Sequence, residues 1–531
     1  MRDERERGSA GRREKSAPVP AEFSIRHGRL TLALILALAA FLRFYQITTI
    51  PPALHFDEAM NGNDAMENLE TGHMDVFYPQ NGGREGLYID IETVLIRFLG
   101  NEAWVLRLPA AAFGVLTVAG VYLLAAELFS APVGLAAAFF LATSFWHLLF
   151  SRIGLRAIGS PLFLAWAAYL MLNGARRARA GRPYLGRMLL AGVVYGLGFY
   201  TYIAYRASPV VIAVAALGAF LEAPKGGPRR ALWRPLAVFA LAAVATVTPL
   251  AVYFARHPGS LLRRSSEVSI FNGPRPFAAL MLNIWKTTLM IFYRGDADWL
   301  HNISFRPMVF WPVAILFALG AGLGLRAVWR GVRRGQGEAW FGYAVALTWL
   351  ASAAAPAVLS TENMPHALRS LLMVPAVFLL AAAGAGYALT RLAARVRPSW
   401  LRAASWVLAA VLCYEPYHSY FDVWARNPKV AEAFNIAGAD IASRINALPK
   451  TAPKYVVAVA PGLPIGMPAP AQTIMFLTAS YTRRQQEETN IHYIIRKQGD
   501  PDGLEFCRQA AASLQGNVFC LQVNSVGLPS F

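Results

Sequence analysis

The sequence predicts an all-α polytopic membrane protein of about eleven transmembrane helices, with a small extracytoplasmic α/β domain at the C-terminus. Three observations predict it. Of 531 residues, 56% are hydrophobic and only 15% are charged, against roughly 25% charged in soluble globular chains. Apolar runs recur along most of the chain, and most approach the ~20 residues a helix needs to cross ~30 Å of hydrocarbon. Arginine clusters fall in alternate loops between those runs, as the positive-inside rule requires of cytoplasmic loops.

Residues 1–28 are polar and highly charged, a composition that predicts a disordered cytoplasmic tail. The run Leu30–Phe41 has the look of a signal-peptide core, but Leu42-Arg43-Phe44-Tyr45 follows it. No small-residue cleavage site is present there, so it reads as the first span. Further spans are expected near 104–126, 132–150, 157–174, 188–205, 207–221, 235–254, 307–325, 340–357, 368–389 and 403–418, after a first at 29–47. Counted from a cytoplasmic N-terminus, they put the arginines of 176–187, 229–234, 326–334 and 391–402 inside. The run 277–293 is apolar but centred on Lys286. A charge at mid-membrane costs about 2.5–3.5 kcal/mol on insertion scales, so this run is expected to lie flat on the outer surface as an amphipathic helix.

The expected organisation is thus a basic tail (1–28), a transmembrane domain (29–418) with large outer loops at 48–103 and 255–306, and an extracytoplasmic domain (419–531). β-type runs at Tyr455–Ala460, His492–Ile495 and Val518–Val523 alternate there with helical runs at 430–447 and 503–514. The three cysteines have no metal-site spacing; Cys507 and Cys520 are able to pair if they lie outside the cytoplasm. The net charge of +19 would suggest nucleic acid in a soluble protein. Here the arginines crowd short loops, so the charge reads as membrane orientation and no nucleic-acid partner is expected.

The first outer loop is acidic and carries the chemical signal. His55-Phe56-Asp57-Glu58 stands about ten residues beyond the first span. A carboxylate at the membrane surface can act as general base toward an attacking hydroxyl. A generic acidic loop is merely solvated; Asp57-Glu58 gains weight from the blocks around it. These are Gly83-Arg84-Glu85-Gly86-Leu87-Tyr88, Arg107-Leu108-Pro109-Ala110, Gly198-Phe199-Tyr200-Thr201-Tyr202, Gly295-Asp296 with His301-Asn302, and Pro365-His366-Ala367-Leu368-Arg369.

In order and membrane side these blocks resemble the GT-C glycosyltransferases, in particular the protein O-mannosyltransferase and aminoarabinose transferase family, over roughly residues 30–420. The chain departs from the aminoarabinose transferases, which have Lys-Pro-Pro where it reads Arg84-Glu85-Gly86. The resemblance implies an inverting glycosyltransferase of the cytoplasmic (inner) membrane. Its donor would be a sugar on a polyprenyl phosphate, and its acceptor a hydroxyl on a lipid, glycan or protein, with Asp57 as base and Glu58 supporting the same site. Arginine matches phosphate geometry bidentately, and Arg107, Arg84, Arg152 and Arg156 are the phosphate candidates. Arg206 and Arg369 stand on the same side of the membrane. Arg152 and Arg156 occupy one short outer turn against the positive-inside trend; snorkelling toward lipid headgroups is the plainer reading of any single arginine.

Sugar or acceptor contacts are expected from Glu85, Tyr200, Tyr202, Asp296, His301, His366 and Arg369. An aromatic belt explains such tyrosines in most membrane proteins. The spacing of Asp296, His301 and His366 is not diagnostic of a metal, so no metal and no cofactor is assigned. A transporter or flippase is the alternative. It calls for ionisable residues and broken helices at the midplane and for repeat symmetry, and the predicted spans are nearly free of acids.

Overall fold

The computed structural model describes residues 25–221, 227–334, 340–361, 363–459, 469–495 and 503–522. The expectation for the tail 1–24 falls outside them. Each of the eleven apolar segments is helical. In order, the helices are α1 (Ile25–Phe44), α2 (Phe56–Thr71), α3 (Leu87–Leu99), α4 (Ala103–Leu128), α5 (Ala131–Ala142), α6 (Phe145–Phe150), α7 (Gly159–Arg179), α8 (Leu185–Gly198) and α9 (Ser208–Leu221). There follow α10 (Gly227–Arg230), α11 (Trp233–Arg256), α12 (Pro258–Glu267), α13 (Pro276–Phe292), α14 (Trp311–Arg334), α15 (Trp340–Val358), α16 (Val374–Ala393) and α17 (Pro398–Tyr417).

Among the described residues, seven helices are long and apolar enough to cross a membrane: 103–128, 156–179, 203–221, 233–256, 311–333, 340–358 and 371–393. Large apolar side chains stand exposed on several of them, among them Leu241, Val244, Trp311 and Ile315, as lipid-facing surfaces do. The expected spans 29–47, 132–150, 188–205 and 403–418 are not among these seven, and two of them are interrupted. The run 132–150 is not one helix but α5 and α6, broken at Thr143-Ser144. The buried Arg43 guanidinium donates to the carbonyl of Ala142 (3.2 Å) and contacts His147 Nδ1 (2.8 Å), while Ser144 accepts from the His147 amide. The polar groups freed by the break are thus met inside the bundle, as a break at membrane depth demands. The run 188–205 stops at Gly198, where α8 gives way to turns and a 3₁₀ segment, Ile203–Ala207.

Small residues let the helices approach closely. A Cβ added at Gly320 of α14 would stand 1.9 Å from the Leu380 carbonyl of α16, and one at Gly384 would stand 2.1 Å from that of Leu316. The amphipathic run forms α13, whose Asn283 ties it to the carbonyls of Val358 (3.1 Å) and Ser360 (2.8 Å) just beyond α15. Helices α7, α9, α14 and α16 all end at the arginine-rich turns.

The tail carries helices α18 (Pro428–Ala433), α19 (Ile436–Asn446), α20 (Ala469–Leu477), α21 (Arg483–Thr489) and α22 (Gly503–Ser513). Below, β1 and β2 are the short pair Phe77–Tyr78 and Arg84–Glu85. In the tail, β3 (Lys454–Val459), β4 (Ile491–Ile495) and β5 (Asn517–Gln522) form a parallel sheet in the order β4-β3-β5. Parallel neighbours need crossovers, and α20–α21 and α22 supply them. Cys507 and Cys520 are disulfide-bonded between α22 and β5.

The tail does not stand apart from the bundle. Helix α20 lies on α2, where Asn63 donates to the carbonyl (3.0 Å) and side chain (2.7 Å) of Gln472. Thr473 donates to the Leu54 carbonyl (3.0 Å), and Phe476 is buried with Leu54, Ile89 and Leu106.

Candidate active site

The acidic loop folds into α2, a β-hairpin and α3. Helix α2 starts with a capping box. His55 accepts from the Asp57 amide through Nδ1 (3.2 Å), and Glu58 accepts from the His55 amide (3.1 Å). Both carboxylates stand at the positive end of the helix dipole, which favours negative charge. The hairpin pairs β1 with β2. Its turn puts Asn81, Gly82 and Gly83 at φ of 52°, 72° and 95°, a region that glycine and, less readily, asparagine adopt. At Gly83 a Cβ would also strike the Phe77 ring at 2.5 Å.

The neighbours Asp57 and Glu58 fall into different worlds. Glu58 is fully buried. It takes Nε (3.0 Å) and Nη2 (3.3 Å) of Arg107 and the amides of His55 (3.1 Å) and Gly154 (2.7 Å). Arg107 gives its remaining hydrogen bonds to the carbonyls of Pro51 (2.9 Å) and Ala53. Asp57 is half-buried, and its carboxylate accepts from Asn81 Nδ2 (2.8 Å). Among the described residues no arginine is paired with it.

Arg84 lies in the same buried layer. It is ion-paired with Asp64 and bonded to Asn61 Oδ1 (2.9 Å). Burial raises Asp64 to about 6 against the pull of Arg84. Glu92 of α3 lies near this pair, fully buried, with neither oxygen hydrogen-bonded among the described residues. Burial, reinforced by Glu58, holds its carboxyl well above the usual glutamate range. Arg152 is buried too, donating to the carbonyls of Leu42 (2.9 Å), Arg43 (2.8 Å) and Ile50 (3.1 Å). It therefore caps the open carbonyls at the end of α1. In this arrangement Arg107, Arg84 and Arg152 all face inward with protein partners, whereas a donor phosphate needs donors within its reach.

The half-exposed cations lie elsewhere. Glu85 is buried and shared by two arginines, Arg156 Nε at 3.2 Å on one oxygen and Arg206 Nη2 at 3.7 Å on the other. The two guanidinium groups are 18% and 29% exposed. Arg156 also donates to the Gly83 carbonyl (3.2 Å) and lies over the Tyr202 ring. Arg264 lies across Gly82. Tyr202 feels Arg369, Arg156 and Arg264 as well as Glu85, though burial is the larger influence raising its hydroxyl. Two guanidinium groups thus hold Glu85, and two more act on the neighbouring Tyr202. Tyr200 is instead a brace: its hydroxyl donates to the Thr246 carbonyl (2.8 Å) and accepts from the Leu250 amide (3.3 Å), bridging the α11 ladder beside Pro249. A gap next to an internal proline is where such a bridge fits.

Across from the arginines stand Asp296, His301 and His366. Asn302 knits their loop, donating to the carbonyls of Asp296 (3.0 Å) and Arg306 (2.7 Å). Asp296 takes the Ala367 amide (2.7 Å), whose own carbonyl accepts from Trp146 of α6 (3.2 Å). Burial pushes Asp296 up, but His301, His366 and that amide together bring its carboxyl below the usual range. Burial pushes His301 down and is outweighed by Asp296, Asp298 and Asp57, so its imidazole is raised. His366 is held well below the usual range by burial first, then by His301 and by Arg369 and Arg264. Arg369 also donates to Ser360 Oγ.

The candidates therefore form two tiers. Glu58, Arg107, Arg84 and Arg152 make a buried floor; Asp57, Glu85, Arg156, Tyr202, Arg369, Asp296, His301 and His366 make a rim around the hairpin turn. Asp64, Asn61, Glu92, Arg264 and Asn81 were missed by sequence reasoning. Asp57, Asn61, Asp64 and Asn68 recur at i, i+4, i+7 and i+11, a helical polar stripe that would have flagged two of them. The open groove of about 930 Å³ lined by Arg182, Tyr184 and Arg187 lies beyond the far end of α7, about 30 Å from the rim at 1.5 Å per residue.

The chain has the fold of a GT-C membrane protein. It is similar to ArnT from Cupriavidus metallidurans in the apo state, with 15% identity, a TM-score of 0.55, and 93% of this chain and 90% of that one covered. Against ArnT bound to undecaprenyl phosphate the values are 14%, 0.52, 92% and 89%. Residues 91–253 match the family model described as dolichyl-phosphate-mannose-protein mannosyltransferase. The chain spans 64% of the length of the Archaeoglobus fulgidus oligosaccharyltransferase, at 15% identity, with 86% of this chain covered and a TM-score of 0.47. No curated protein matches by sequence. The resemblance of the motifs to the GT-C mannosyltransferase and aminoarabinose transferase-like proteins thus stands. The matched segment 91–253 contains Arg107, Arg156, Tyr202 and Arg206 but neither Asp57 nor Arg84.

Proposed function

We propose that the protein is an inverting glycosyltransferase that moves a sugar from a polyprenyl-phosphate donor to an acceptor hydroxyl on the outer face of the cytoplasmic membrane. The observation that carries this reading is the rim. A half-exposed carboxylate with no arginine partner among the described residues, Asp57, shares one hairpin turn with a group of half-exposed arginines. Asn81 binds Asp57 and Gly83 binds Arg156, two residues apart.

In the proposed reaction the acceptor oxygen attacks the anomeric carbon as Asp57 takes its proton. The carbon–oxygen bond to phosphate breaks, and polyprenyl phosphate leaves as its anion with inversion. Charge grows on the leaving phosphate, where Arg156, Arg206 and Arg369 supply fixed positive charge; donors placed in advance at such a point are strong catalytic devices. Glu85 keeps Arg156 and Arg206 oriented between turnovers. Glu58 and Arg107 act through α2, fixing the backbone that carries Asp57. The eleven-span topology, the outer placement of the tail and a sugar contact from Tyr202 belong to the same proposal. The likeness to ArnT supports its fold, and the family-model match supports the class of donor.

The test is transfer by purified protein from radiolabelled polyprenyl-phosphate sugars into a membrane extract. Transfer by the wild type that disappears in Asp57→Asn, with unchanged thermal stability, supports enzyme and base together. Equal transfer by both removes Asp57 from the role. Absence of both transfer and donor binding would favour the transporter alternative.

A further inference from the structure

We infer that Asp296, His301 and His366 form a divalent-metal site that binds Zn²⁺ with an open fourth position. The three come from two separated loops, yet one ligand atom from each lies within 4.8 Å of the others. The separations themselves point to an ion. Asp296 Oδ2 stands 3.4 Å from His301 Nδ1 and 3.9 Å from His366 Nδ1. Hydrogen bonds from nitrogen to oxygen run about 2.7–3.2 Å, so neither contact is a good one. Two ligands on a tetrahedral Zn²⁺ with bonds of about 2.0–2.1 Å stand about 3.3–3.4 Å apart. Asp296 and His301 stand at the spacing of ligands across a metal, and His366 lies within 4.8 Å of both.

Two further observations agree. His366 Nδ1 is buried and has no hydrogen-bond partner among the described residues, a costly state for a ring nitrogen that a metal bond would relieve. The carboxylate is already oriented from behind. Its Oδ2 accepts from the Ala367 amide (2.7 Å) and its Oδ1 from the Asp298 amide (3.0 Å), the outer support that metal ligands characteristically have. Two imidazoles and one carboxylate suit Zn²⁺ better than Mg²⁺ or Ca²⁺, which prefer all-oxygen sites. One carboxylate against a dication leaves a net positive charge. His301 interacts electrostatically with Asp57, and His366 with Arg369 and Arg264. The ion thus sits between the proposed base and the arginine group, where its open position takes a substrate oxygen. Only this last role rests on the proposed transferase activity; binding stands without it.

The experiment uses the full-length, tag-free protein in lipid nanodiscs, stripped with chelator. ZnCl₂ is titrated by calorimetry and the bound metal is counted by mass spectrometry after dialysis. The expected result is one retained equivalent in the wild type and in His73→Gln, whose histidine lies outside the site. His301→Gln and His366→Gln should lower affinity at least tenfold. Wild type reconstituted with Co²⁺ should show the intense visible bands of a tetrahedral site, a readout that needs no variant to fold. No retained equivalent, or retention unchanged in both site variants with six-coordinate Co²⁺ spectra, would overturn the assignment. Zinc binding without sugar transfer would keep the site and remove the reaction; transfer without zinc binding would do the reverse.

Discussion

The sealed floor beneath the acidic loop and the partly open rim around it use the same residue types for opposite ends. On the floor, Glu58–Arg107 and Arg84–Asp64 are sealed pairs, each arginine about 1% exposed. On the rim, Asp57, Arg156 and Arg206 are partly open and incompletely paired. A buried ion pair adds little net stability over an apolar core, but removing one partner costs about 3–5 kcal/mol because a charge is stranded. A half-exposed pair is worth only about 0–1 kcal/mol. The lesson is that an arginine in a matching motif is not thereby a ligand-binding arginine. What its donors already hold decides the matter.

The sharpest way to break this contrast is to neutralise the two adjacent carboxylates separately. Asp57→Asn should lower sugar transfer by about 10²–10⁴-fold, the usual worth of a general base, with no change in thermal midpoint. Glu58→Gln should do the opposite. It strands Arg107 and should lower unfolding free energy by about 3–5 kcal/mol, while the protein that remains folded keeps its KM for donor. A stable but inactive Glu58→Gln would return Glu58 to the chemistry.

The arginines divide in the same way. Arg107→Ala should destabilise by about 3–5 kcal/mol, read as loss of folded protein in a detergent melt. Arg206→Ala should leave the melt nearly unchanged. It should weaken donor binding about 10–100-fold, the equivalent of about 1.5–3 kcal/mol for a hydrogen bond to a charged group. If Arg107→Ala melted like wild type and lost donor binding, the floor would be part of the phosphate site after all.

Much of the fold was legible because lipid imposes a strict code. Each apolar run became a helix, and the arginine loops follow the far ends of α7, α9, α14 and α16. The breaks were not legible. The gap at Thr143-Ser144 depends on Arg43, about a hundred residues away, reaching the Ala142 carbonyl, and no local pattern announces such a partner. At the site, sequence pointed to the loop and Asp57 and put Arg107 first among the arginines, without seeing which of them the fold would bury. Arg107 follows the motif, yet its donors are consumed by Glu58, Pro51 and Ala53. The arginines beside Glu85 and Tyr202 draw on four separate stretches of chain, at 156, 206, 264 and 369. The joining of Asp296, His301 and His366 is likewise a product of tertiary structure, since their spacing in sequence fits no metal motif.

The seating of the tail on the acidic loop offers a milder test. Asn63→Ala leaves the buried Gln472 groups without their donor, which costs about 1–3 kcal/mol. The cost should appear as faster hydrogen exchange in 469–477 and 56–71 together, while the far bundle stays protected. Exchange confined to the tail helix would mean that α2 does not depend on it.

The last prediction concerns Glu92, the floor carboxyl with no hydrogen-bond partner for either oxygen among the described residues. Burial raises its carboxyl well above the usual value, so below the ordinary glutamate value, where it is protonated folded and unfolded alike, Glu92→Gln should change stability by less than about 0.5 kcal/mol. The sign with pH follows from linkage. A carboxyl whose folded value is raised binds its proton more tightly folded than unfolded. Its contribution is fully present below the ordinary glutamate value of 4.5 and is lost as pH rises toward the folded value. The stability of wild type relative to Glu92→Gln should therefore fall from pH 4.5 upward, and at pH 8 the variant should be the more stable of the two. Melts of both proteins at pH 5 and pH 8 check this. A gap that widened in favour of wild type at the higher pH would mean that Glu92 is ionised and paired, adding a third sealed ion pair to the floor.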